Sequence, residues 1–544
     1  MILIYPPVAK ISEPPAGVSI LSGVLKNHNI NCKVIDANIE GMLWLIKRSA
    51  KCKPEILKDR WSRRAAAHID RNLSELKDIN VYKNIPQYRQ RVMELNRAIS
   101  ILIDSRFKIS LADYADSTLT PLKSGDLLAS ARNYSENPFY SFFKTCLADE
   151  ISSYYVDNGG ILSSFNLQSN SSDYIGISLC YLSQALTAFA LAGWIRAQFP
   201  EKKIVMGGGL VTSWMSMPAW NEPFKGLIDL MVKGRGEEAV VNLCTKNSET
   251  LKNININKHT VRYRPDFDVC TWDKYISPGR TLPFRTTTGC YWNRCRFCPE
   301  KAEGNSYKGE KTDIIIDELQ YLVDKYHPEY IHFLDDAIPP RVLKSLALNN
   351  IVANNLNCCL NSKNAFKWYG FVRFTPELSD LDFCKALYRS GCRLLKLGLE
   401  SGDQDVLDKM EKGTDLNLAS KVLSRLKEAG IATYIYLLFG THFEDEKTAD
   451  RTFEYVVNHS DRISFLNTAI FNLPRFSEDA DTLSTSLFSD ADLSLYLNFK
   501  HPKGWDRKNV RLFLDKKFKK HPAIGKILQH DPPFFTSNHA IFLL

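Results

Sequence analysis

The chain has little charge imbalance and lacks low-complexity segments. Its 544 residues carry 70 Lys and Arg against 61 Asp and Glu, an excess of +9, with 44% hydrophobic and 24% charged residues. This composition excludes the disordered, collagenous and coiled-coil classes. The length predicts a globular protein of three to four domains with large buried cores.

The positive charge is nevertheless concentrated in two stretches. Residues 47–64 hold eight basic and two acidic residues, and residues 500–526 hold ten basic and two acidic residues. A polyanionic partner would explain such stretches, but neither contains a nucleic-acid-binding motif. We therefore interpret them as solvated helix faces and expect no nucleic acid partner.

We also expect no secretion signal, because the apolar run Met1–Tyr5 is short and is broken at Pro6 and Pro7. Thirteen cysteines without such a signal favour a reducing, cytoplasmic setting, where thiols serve metals or chemistry rather than disulfides. Residues 174–195 form a run of 22 without charge, long enough to cross a bilayer. Its polar residues predict a strand, a turn and a helix instead, so we expect no membrane span.

The first half of the sequence predicts an α/β fold with a Rossmann-like parallel sheet, interrupted by a helical insertion at about 41–167. Right-handed crossovers would bring the strand ends to one sheet edge, where such sheets bind ligands. Neither glycine-rich turn is a clean dinucleotide or Walker motif, yet we expect a bound ligand at this edge. The predicted strands are Ile2–Tyr5, Cys32–Ile35, Tyr174–Leu179, Ile204–Met206 and Leu227–Val232, and the edge carries Pro7, Asp36, Ser178, Gly207, Gly208, Gly209, Gly234 and Glu237.

The second half repeats strand and helix six times, which predicts a partial (β/α)6 barrel with its chemistry at the strand C-termini. We expect domains at 1–245 and 279–475, a linker at 246–278 and a C-terminal helical cap at 476–544. The predicted barrel strands are Phe284–Thr287, Tyr330–Leu334, Tyr369–Phe374, Leu394–Leu399, Tyr434–Phe439 and Ile463–Ile470.

Three cysteines, Cys290, Cys295 and Cys298, lie just past the first barrel strand. Thiolates are soft ligands that select zinc or iron-sulfur centres. Structural zinc normally takes four protein ligands, and no fourth Cys or His follows at local spacing. Three ligands on a 4Fe-4S cluster leave one iron open for a substrate. An iron-sulfur cluster is therefore favoured over zinc or over core cysteines.

This loop and the barrel behind it resemble the radical S-adenosylmethionine (SAM) superfamily, although the spacing CxxxxCxxC is one residue longer than the common CxxxCxxC. The resemblance covers residues 282–471 and includes the segments 333–336, 397–414 and 438–441. It implies that the three cysteines hold a 4Fe-4S cluster to which SAM binds. The implied SAM contacts are Phe297 against adenine, together with Asp335, Arg373, Glu400 and Ser401.

The first domain resembles the cobalamin-binding domain that precedes the barrel in the cobalamin-dependent class of this superfamily. The resemblance rests on the strand ends named above and on the paired prolines 6–7 and 14–15. No DxHxxG motif is present, so it implies cobalamin bound without an axial histidine of the methionine-synthase kind.

The resemblance implies a methyltransferase acting on an unactivated carbon through a 5′-deoxyadenosyl radical, with a small-molecule or peptide substrate. It also implies an electron donor such as flavodoxin or ferredoxin. A cobalamin-dependent rearrangement or ring contraction, or a methylthiotransferase-like modification of RNA, remains an alternative. No general base is visible in the sequence.

Overall fold

The computed structural model describes residues 1–57, 59–162, 174–218, 220–245, 263–348, 366–488, 491–533 and 536–544. The chain divides into two compact units. Unit 1 comprises Met1–Lys77, Gln90–Ile276 and Asp490–Ser494, and unit 2 comprises Asp78–Arg89, Ser277–Ser489 and Leu495–Leu544. The predicted linker falls partly on residues 246–262, which lie outside the described residues, and the predicted domain boundaries stay predictions.

Unit 1 contains a five-stranded parallel sheet in the order β2-β1-β5-β6-β7. The order reverses between β1 and β5, which is the switch point where sheets of this kind bind ligands. A two-stranded antiparallel ribbon, β3 and β4, lies within the insertion. The strands are β1 Ile2–Ile4, β2 Lys33–Ile35, β3 Phe107–Ile109, β4 Tyr114–Asp116, β5 Tyr174–Ser178, β6 Lys203–Gly207 and β7 Leu230–Met231.

Helices cover this sheet and build the predicted insertion. The uncharged run at 174–195 divides into β5 and a buried helix, α9, as expected from its polar residues. Within the described part of the chain, no helix is both long and apolar enough to cross a membrane. The helices of the first half of the chain are α1 Ala16–Asn27, α2 Ala37–Arg48, α3 Arg60–Ala67, α4 Ile69–Glu75, α5 Ile79–Tyr82, α6 Ile85–Ser100, α7 Ser124–Arg132, α8 Ala148–Leu162, α9 Leu182–Gln198, α10 Gly209–Met215 and α11 Glu237–Cys244. All of them belong to unit 1 except α5 and residues 85–89 of α6, which belong to unit 2.

Unit 2 is built on six parallel strands that neighbour one another in chain order, with helices between them. This is the connectivity expected of a partial (β/α)6 barrel. The strands are β8 Thr281–Phe284, β9 Tyr330–Phe333, β10 Lys367–Val372, β11 Cys392–Glu400, β12 Ala432–Phe439 and β13 Phe465–Ile470, and the helices are α12 Pro299–Ala302, α13 Thr312–Tyr326, α14 Pro340–Leu348, α15 Leu381–Arg389, α16 Gln404–Lys409, α17 Leu416–Ala429 and α18 Glu446–Asn458.

The first barrel strand begins and ends three residues earlier than predicted. Thr286 and Thr287 leave the ladder because their backbone N–H groups donate to the buried carboxylate of Asp335, at 3.0 and 2.8 Å. The two hydroxyls donate to the same side chain, at 2.6 and 2.8 Å. The side chain of Asp335, two residues after the end of β9, therefore determines where β8 ends.

The C-terminal segment combines helices with a small antiparallel sheet in the order β14-β16-β15, so the cap is not purely helical. Residues 78–89 pack with this unit through an aromatic cluster in which Tyr88 Oη lies 2.8 Å from His539 Nδ1. The elements are β14 Leu473–Pro474, β15 Thr485–Ser486, β16 Tyr496–Phe499, α19 Glu478–Thr482, α20 Arg507–Phe513, α21 Pro522–His530 and α22 Thr536–His539.

Candidate functional site

The loop after β8 presents three thiols at the C-terminal end of the barrel. It is closed at its base by reciprocal backbone hydrogen bonds between Thr288 and Lys308, at 3.0 and 2.8 Å. Cys295 is buried, whereas Cys290 and Cys298 are partly exposed. All eleven cysteines in the described part of the chain are free thiols, so disulfides do not compete for the three.

Cys298 caps the short helix α12, and the backbone N–H groups of Glu300 and Lys301 face its sulfur. Burial raises the pKa of Cys298 to about 12, while these hydrogen bonds act in the opposite direction. Donors of this kind stabilise a charged sulfur, because the negative charge is spread toward the amides. The local backbone thus suits a metal-bound thiolate at this position.

Two cations lie beside Cys295. Arg373 Nη1 is 3.8 Å from its sulfur, and the guanidinium stacks 4.4 Å from the ring centroid of Trp292. Burial raises the pKa of Cys295, and the charges of Lys412 and Arg373 lower it. Arg373 was predicted from sequence to contact SAM; the structure places it against the thiol and the backbone carbonyl of Lys412.

Lys412 is a site residue that sequence reasoning missed. Its ammonium group lies 2.8 Å from Glu400 Oε1 and 5.4 Å from the ring centroid of Phe297, and both charged side chains are nearly buried. Phe297 packs on the apolar side chains of Val406 and Leu407. Glu400 and Phe297 therefore meet through Lys412, which lies in the predicted segment 397–414 but was not itself selected.

Two of the predicted SAM contacts have their polar atoms occupied by the protein itself. Asp335 accepts the four hydrogen bonds from Thr286 and Thr287 described above. Ser401 Oγ lies 3.1 Å from Thr452 Oγ1 and accepts from the N–H of Asp403 at 3.1 Å. Their geometry supports structural positions at the barrel mouth, and their proposed contact with SAM stays a prediction.

The carboxyl beside Asp335 is placed differently. The side chain of Asp336 is exposed, but neighbouring protein atoms partly desolvate its carboxyl. This desolvation, and then the negative charges of Glu300 and Asp335, raise the pKa of Asp336 to about 6. A titratable side chain that is accessible and has a raised pKa is a candidate for binding a ligand. Sequence reasoning included Asp336 in the motif but selected its neighbour.

The thiol loop fits an iron-sulfur cluster by its donor set. In the described part of the chain, no three His, Cys, Asp or Glu side chains converge on one point as ligands of a single metal ion. Three thiolates that each bind a different iron do not have to meet at one point. Two buried atoms of the loop, Tyr291 Oη and Arg296 Nε, have no hydrogen-bond partner among the described residues, so the protein alone does not satisfy this loop.

In unit 1 the predicted ligand-binding residues follow the strand ends. Asp36 caps α2 by accepting from the N–H groups of Asn38 and Ile39, and Tyr275 Oη donates to it at 2.7 Å. Burial raises the pKa of Asp36 to about 6, against the effect of these hydrogen bonds. Glu237 is mostly buried and pairs with Arg235 at 2.6 Å, which leaves it as a support of the turn.

Glycines at the same edge allow close backbone approach. Gly208 has φ +115° and ψ 176°, and a Cβ there would lie 2.3 Å from the carbonyl oxygen of Leu179. Gly234 has φ +77°, with no atom within 4 Å of the position that a Cβ would take, and its N–H donates to Thr212 Oγ1 at 3.0 Å. Gly207 ends β6 and Gly209 opens α10. Ser178 ends β5, and its hydroxyl faces Gly17.

Gln184 holds the two strands of the switch point together, which the sequence did not indicate. Its Oε1 accepts from the N–H groups of Cys180 and Tyr181, both at 3.0 Å, and its Nε2 donates to the carbonyl of Pro6 at 2.7 Å. The loop after β1, which contains Pro7, is thereby tied to the end of β5. Tyr181 beside it is 57% exposed, so its aromatic ring is accessible at this edge.

Comparisons with known proteins agree with this geometry. Residues 284–456 match the model of the radical SAM superfamily. The chain is 26% identical over 302 residues to bacteriochlorophyllide d C-12(1)-methyltransferase of Chlorobaculum tepidum, which covers 53% of this chain and 62% of that protein. The chain thus spans less than two thirds of this curated relative.

Two solved structures share the fold. The radical SAM methyltransferase TsrM from Kitasatospora setae, with tryptophan substrate and a SAM analogue bound, matches with a TM-score of 0.50 and 13% identity over 88% of this chain and 74% of that one. The cobalamin-dependent radical SAM enzyme OxsB, with aqua-cobalamin bound, matches with a TM-score of 0.50 and 14% identity over 66% and 60%. Residues 284–456 of this chain therefore form a radical SAM domain, and the chain shares its fold with these two solved radical SAM enzymes.

Proposed function

We propose that this protein is a radical SAM methyltransferase that uses a 4Fe-4S cluster, SAM and cobalamin to methylate an unactivated carbon. The observation that carries the proposal is the loop of three thiols at the mouth of the matched barrel, in a chain that also contains a switch-point sheet. When bound, the cluster supplies one electron that cleaves SAM to methionine and a 5′-deoxyadenosyl radical, and methylcobalamin supplies the methyl group.

In this proposal Cys290, Cys295 and Cys298 hold the cluster. The Arg373 guanidinium and the Lys412 ammonium, both beside the loop, offset the negative charge of the thiolates. Phe297 offers a partly exposed aromatic face for adenine. Ser401 and Glu400 stay proposed contacts at the mouth, and Asp336 joins Asp335 as a candidate for the amine of SAM.

The edge of the first sheet would hold the corrin. Gly208 and Gly234 permit backbone approach without side chains, and the exposed ring of Tyr181 offers apolar contact. Asp36 and Ser178 lie on the same edge and can position amide groups of the ligand. Methyl transfer is supported by the similarity to the Chlorobaculum tepidum methyltransferase, which this chain spans only in part. We propose a small molecule or a peptide as the substrate.

The test is anaerobic reconstitution with iron, sulfide and hydroxocobalamin, followed by incubation with SAM and dithionite. We expect a visible iron-sulfur absorbance, a retained corrinoid and formation of 5′-deoxyadenosine with S-adenosylhomocysteine. Cys295→Ala should lose the cluster absorbance and both products, whereas Cys52→Ala, outside the loop, should retain them.

Each possible negative result contradicts a different part of the proposal. Absence of an iron-sulfur band removes the radical chemistry, and absence of retained corrinoid removes the cobalamin half. Formation of 5′-deoxyadenosine with a substrate but without S-adenosylhomocysteine would favour a rearrangement over methylation.

The proposed chemistry also needs a donor of single electrons, and we infer a small carrier such as flavodoxin or ferredoxin. Dithionite replaces that carrier in the test above, so the donor is assayed separately.

A further inference from the structure

The second basic stretch of the sequence forms one exposed surface on unit 2. It begins near Lys503, continues through α20 and a π-turn at 514–518, and ends in α21. Val510, Phe513 and Phe518 are buried, and the last two contact the ring of Phe439 at the end of β12. Since the apolar side of the segment is fixed on the barrel, its basic side faces outward.

Not every cation on the outward side forms an ion pair, although the hydrogen bond from Lys519 and, to a lesser degree, the charge of Arg511 lower the pKa of the Asp515 carboxyl. Lys503 and Lys517 pair with Asp445 and Asp450. In contrast, Lys508, Arg511 and Lys520 are exposed and form no ion pair within the described residues. Leu512 is 49% exposed and lies four positions after Lys508 in α20, so an exposed apolar side chain and a cation share one helix face. A central apolar contact with a charged rim is the usual composition of a protein interface.

The same segment reaches the turn beside the thiol loop. Lys503 Nζ donates to the carbonyl of Phe443 at 2.6 Å, and the Trp505 indole donates to Glu444 at 2.9 Å. The guanidinium of Arg296, which lies between Cys295 and Cys298 in sequence, stacks 5.1 Å from the ring centroid of Phe443. Lys503, at the start of the basic stretch, is therefore two contacts away from the loop that would hold the cluster, and α20 beside it packs on the end of β12 through Phe513.

We propose that this surface, defined by Lys508, Arg511, Leu512 and Lys520, docks an acidic one-electron carrier protein. The inference rests on the proposed function, because only a redox cluster in the thiol loop needs such a carrier. The reduced carrier loses one electron, the cluster gains it, and the electron passes to SAM, whose sulfonium C–S bond breaks. Charge complementarity guides the encounter, and the exposed leucine contributes the apolar contact.

Reduced flavodoxin, an acidic flavin carrier, is the probe. We compare wild type with K508E/R511E/K520E and with a control, K47E/K51E/K53E, which makes the same charge change in the other basic stretch, on unit 1. The readouts are flavodoxin affinity in a salt titration, and the rate of 5′-deoxyadenosine formation driven either by flavodoxin or by dithionite. Circular dichroism and cluster absorbance confirm that each variant is folded and loaded.

We expect the K508E/R511E/K520E variant to lose at least about tenfold in flavodoxin affinity and flavodoxin-driven rate, with the dithionite-driven rate unchanged. L512S should weaken binding without changing its salt dependence. The control variant should match wild type. Binding should weaken as salt rises from roughly 50 to 200 mM, because exposed charges are screened.

Three results would overturn the docking surface. A flavodoxin-driven rate that falls equally in both triple variants would show that net charge, not this surface, governs docking. Flavodoxin binding that is unaffected by either triple variant would place the carrier elsewhere. Binding of a single-stranded RNA oligonucleotide that displaces flavodoxin would assign the surface to nucleic acid. A failure of the proposed function is distinguishable, since it would abolish the dithionite-driven rate in wild type as well.

Discussion

Replacing Gly208 by alanine should destabilise unit 1 far more than the same change at Gly234. At Gly208 the backbone lies in a region that only glycine occupies readily, which costs about 1–3 kcal/mol for other residues. The added methyl would also lie 2.3 Å from the carbonyl oxygen and 2.9 Å from the nitrogen of Leu179. Such overpacking costs about 1–3 kcal/mol more, so we expect about 2–6 kcal/mol in total.

At Gly234 only the positive φ opposes alanine. No atom lies within 4 Å of the added carbon, so the expected cost is about 1–2 kcal/mol. Gly125, near the start of α7, is a control without either penalty, because it has no positive φ and no neighbour within 4 Å. Alanine there should stabilise the helix by up to about 1 kcal/mol.

Differential scanning calorimetry of the three variants measures these differences as shifts of the unit 1 transition. A gap of about 2 kcal/mol between G208A and G234A corresponds to roughly 4–8 °C in a unit of this size. Corrinoid retention after gel filtration tests the site itself and should fall most in G208A. If G208A melts at or above the temperature of G234A, the close approach of Gly208 to Leu179 is wrong.

Three further predictions concern the barrel mouth. D335N should destabilise the barrel by about 1–3 kcal/mol in a denaturation experiment. The NH₂ group of the new amide can replace the oxygen that now accepts the hydrogen bond from the N–H of Thr286, which would leave two donors facing each other. D336N should leave stability unchanged but weaken SAM binding, measured by equilibrium dialysis. In wild type, SAM binding should strengthen as the pH rises through about 6, because Asp336 ionises there. D336N should lack this pH dependence. If instead D335N alone affects SAM binding, Asp335 is the contact. Burial raises the pKa of Glu444 to about 8, against 4.5 for an ordinary glutamate. Between these two pH values the folded state binds more protons than the unfolded state, so the free energy of unfolding falls as the pH rises from about 4.5 to 8, by at most about 5 kcal/mol. E444Q should remove this fall in denaturation curves recorded at pH 5, 7 and 9, and a variant that keeps the wild-type slope would show that another group titrates.

Much of the barrel can be predicted from sequence because its strands are continuous apolar runs, and parallel strands buried on both faces have that pattern. The exact end of β8 could not be predicted. Thr286 and Thr287 have the composition of a strand, but the hydrogen bonds that they donate to Asp335, 48 or 49 positions away, draw them out of it. Local pattern carries no information about such a partner.

The predicted SAM contacts show the same limit. A sequence motif cannot distinguish Asp335 from Asp336, because the two neighbours are the same residue type and a motif does not show where each side chain points. Burial and four hydrogen bonds distinguish one as a support, and exposure distinguishes the other as a candidate ligand. Lys412 was missed because nothing in the sequence shows that its side chain pairs with Glu400, twelve positions earlier.

The amino-acid sequence by itself determined the two α/β halves, the loop of three cysteines and the two basic stretches, because these depend on residue type and local spacing. The tertiary structure alone decided that Lys412 joins Glu400 to Phe297, that Gln184 ties the end of β5 to the loop after β1, and that the second basic stretch lies against the turn beside the thiol loop. These contacts join residues that are distant in sequence, and only the folded chain brings them within hydrogen-bonding or packing distance.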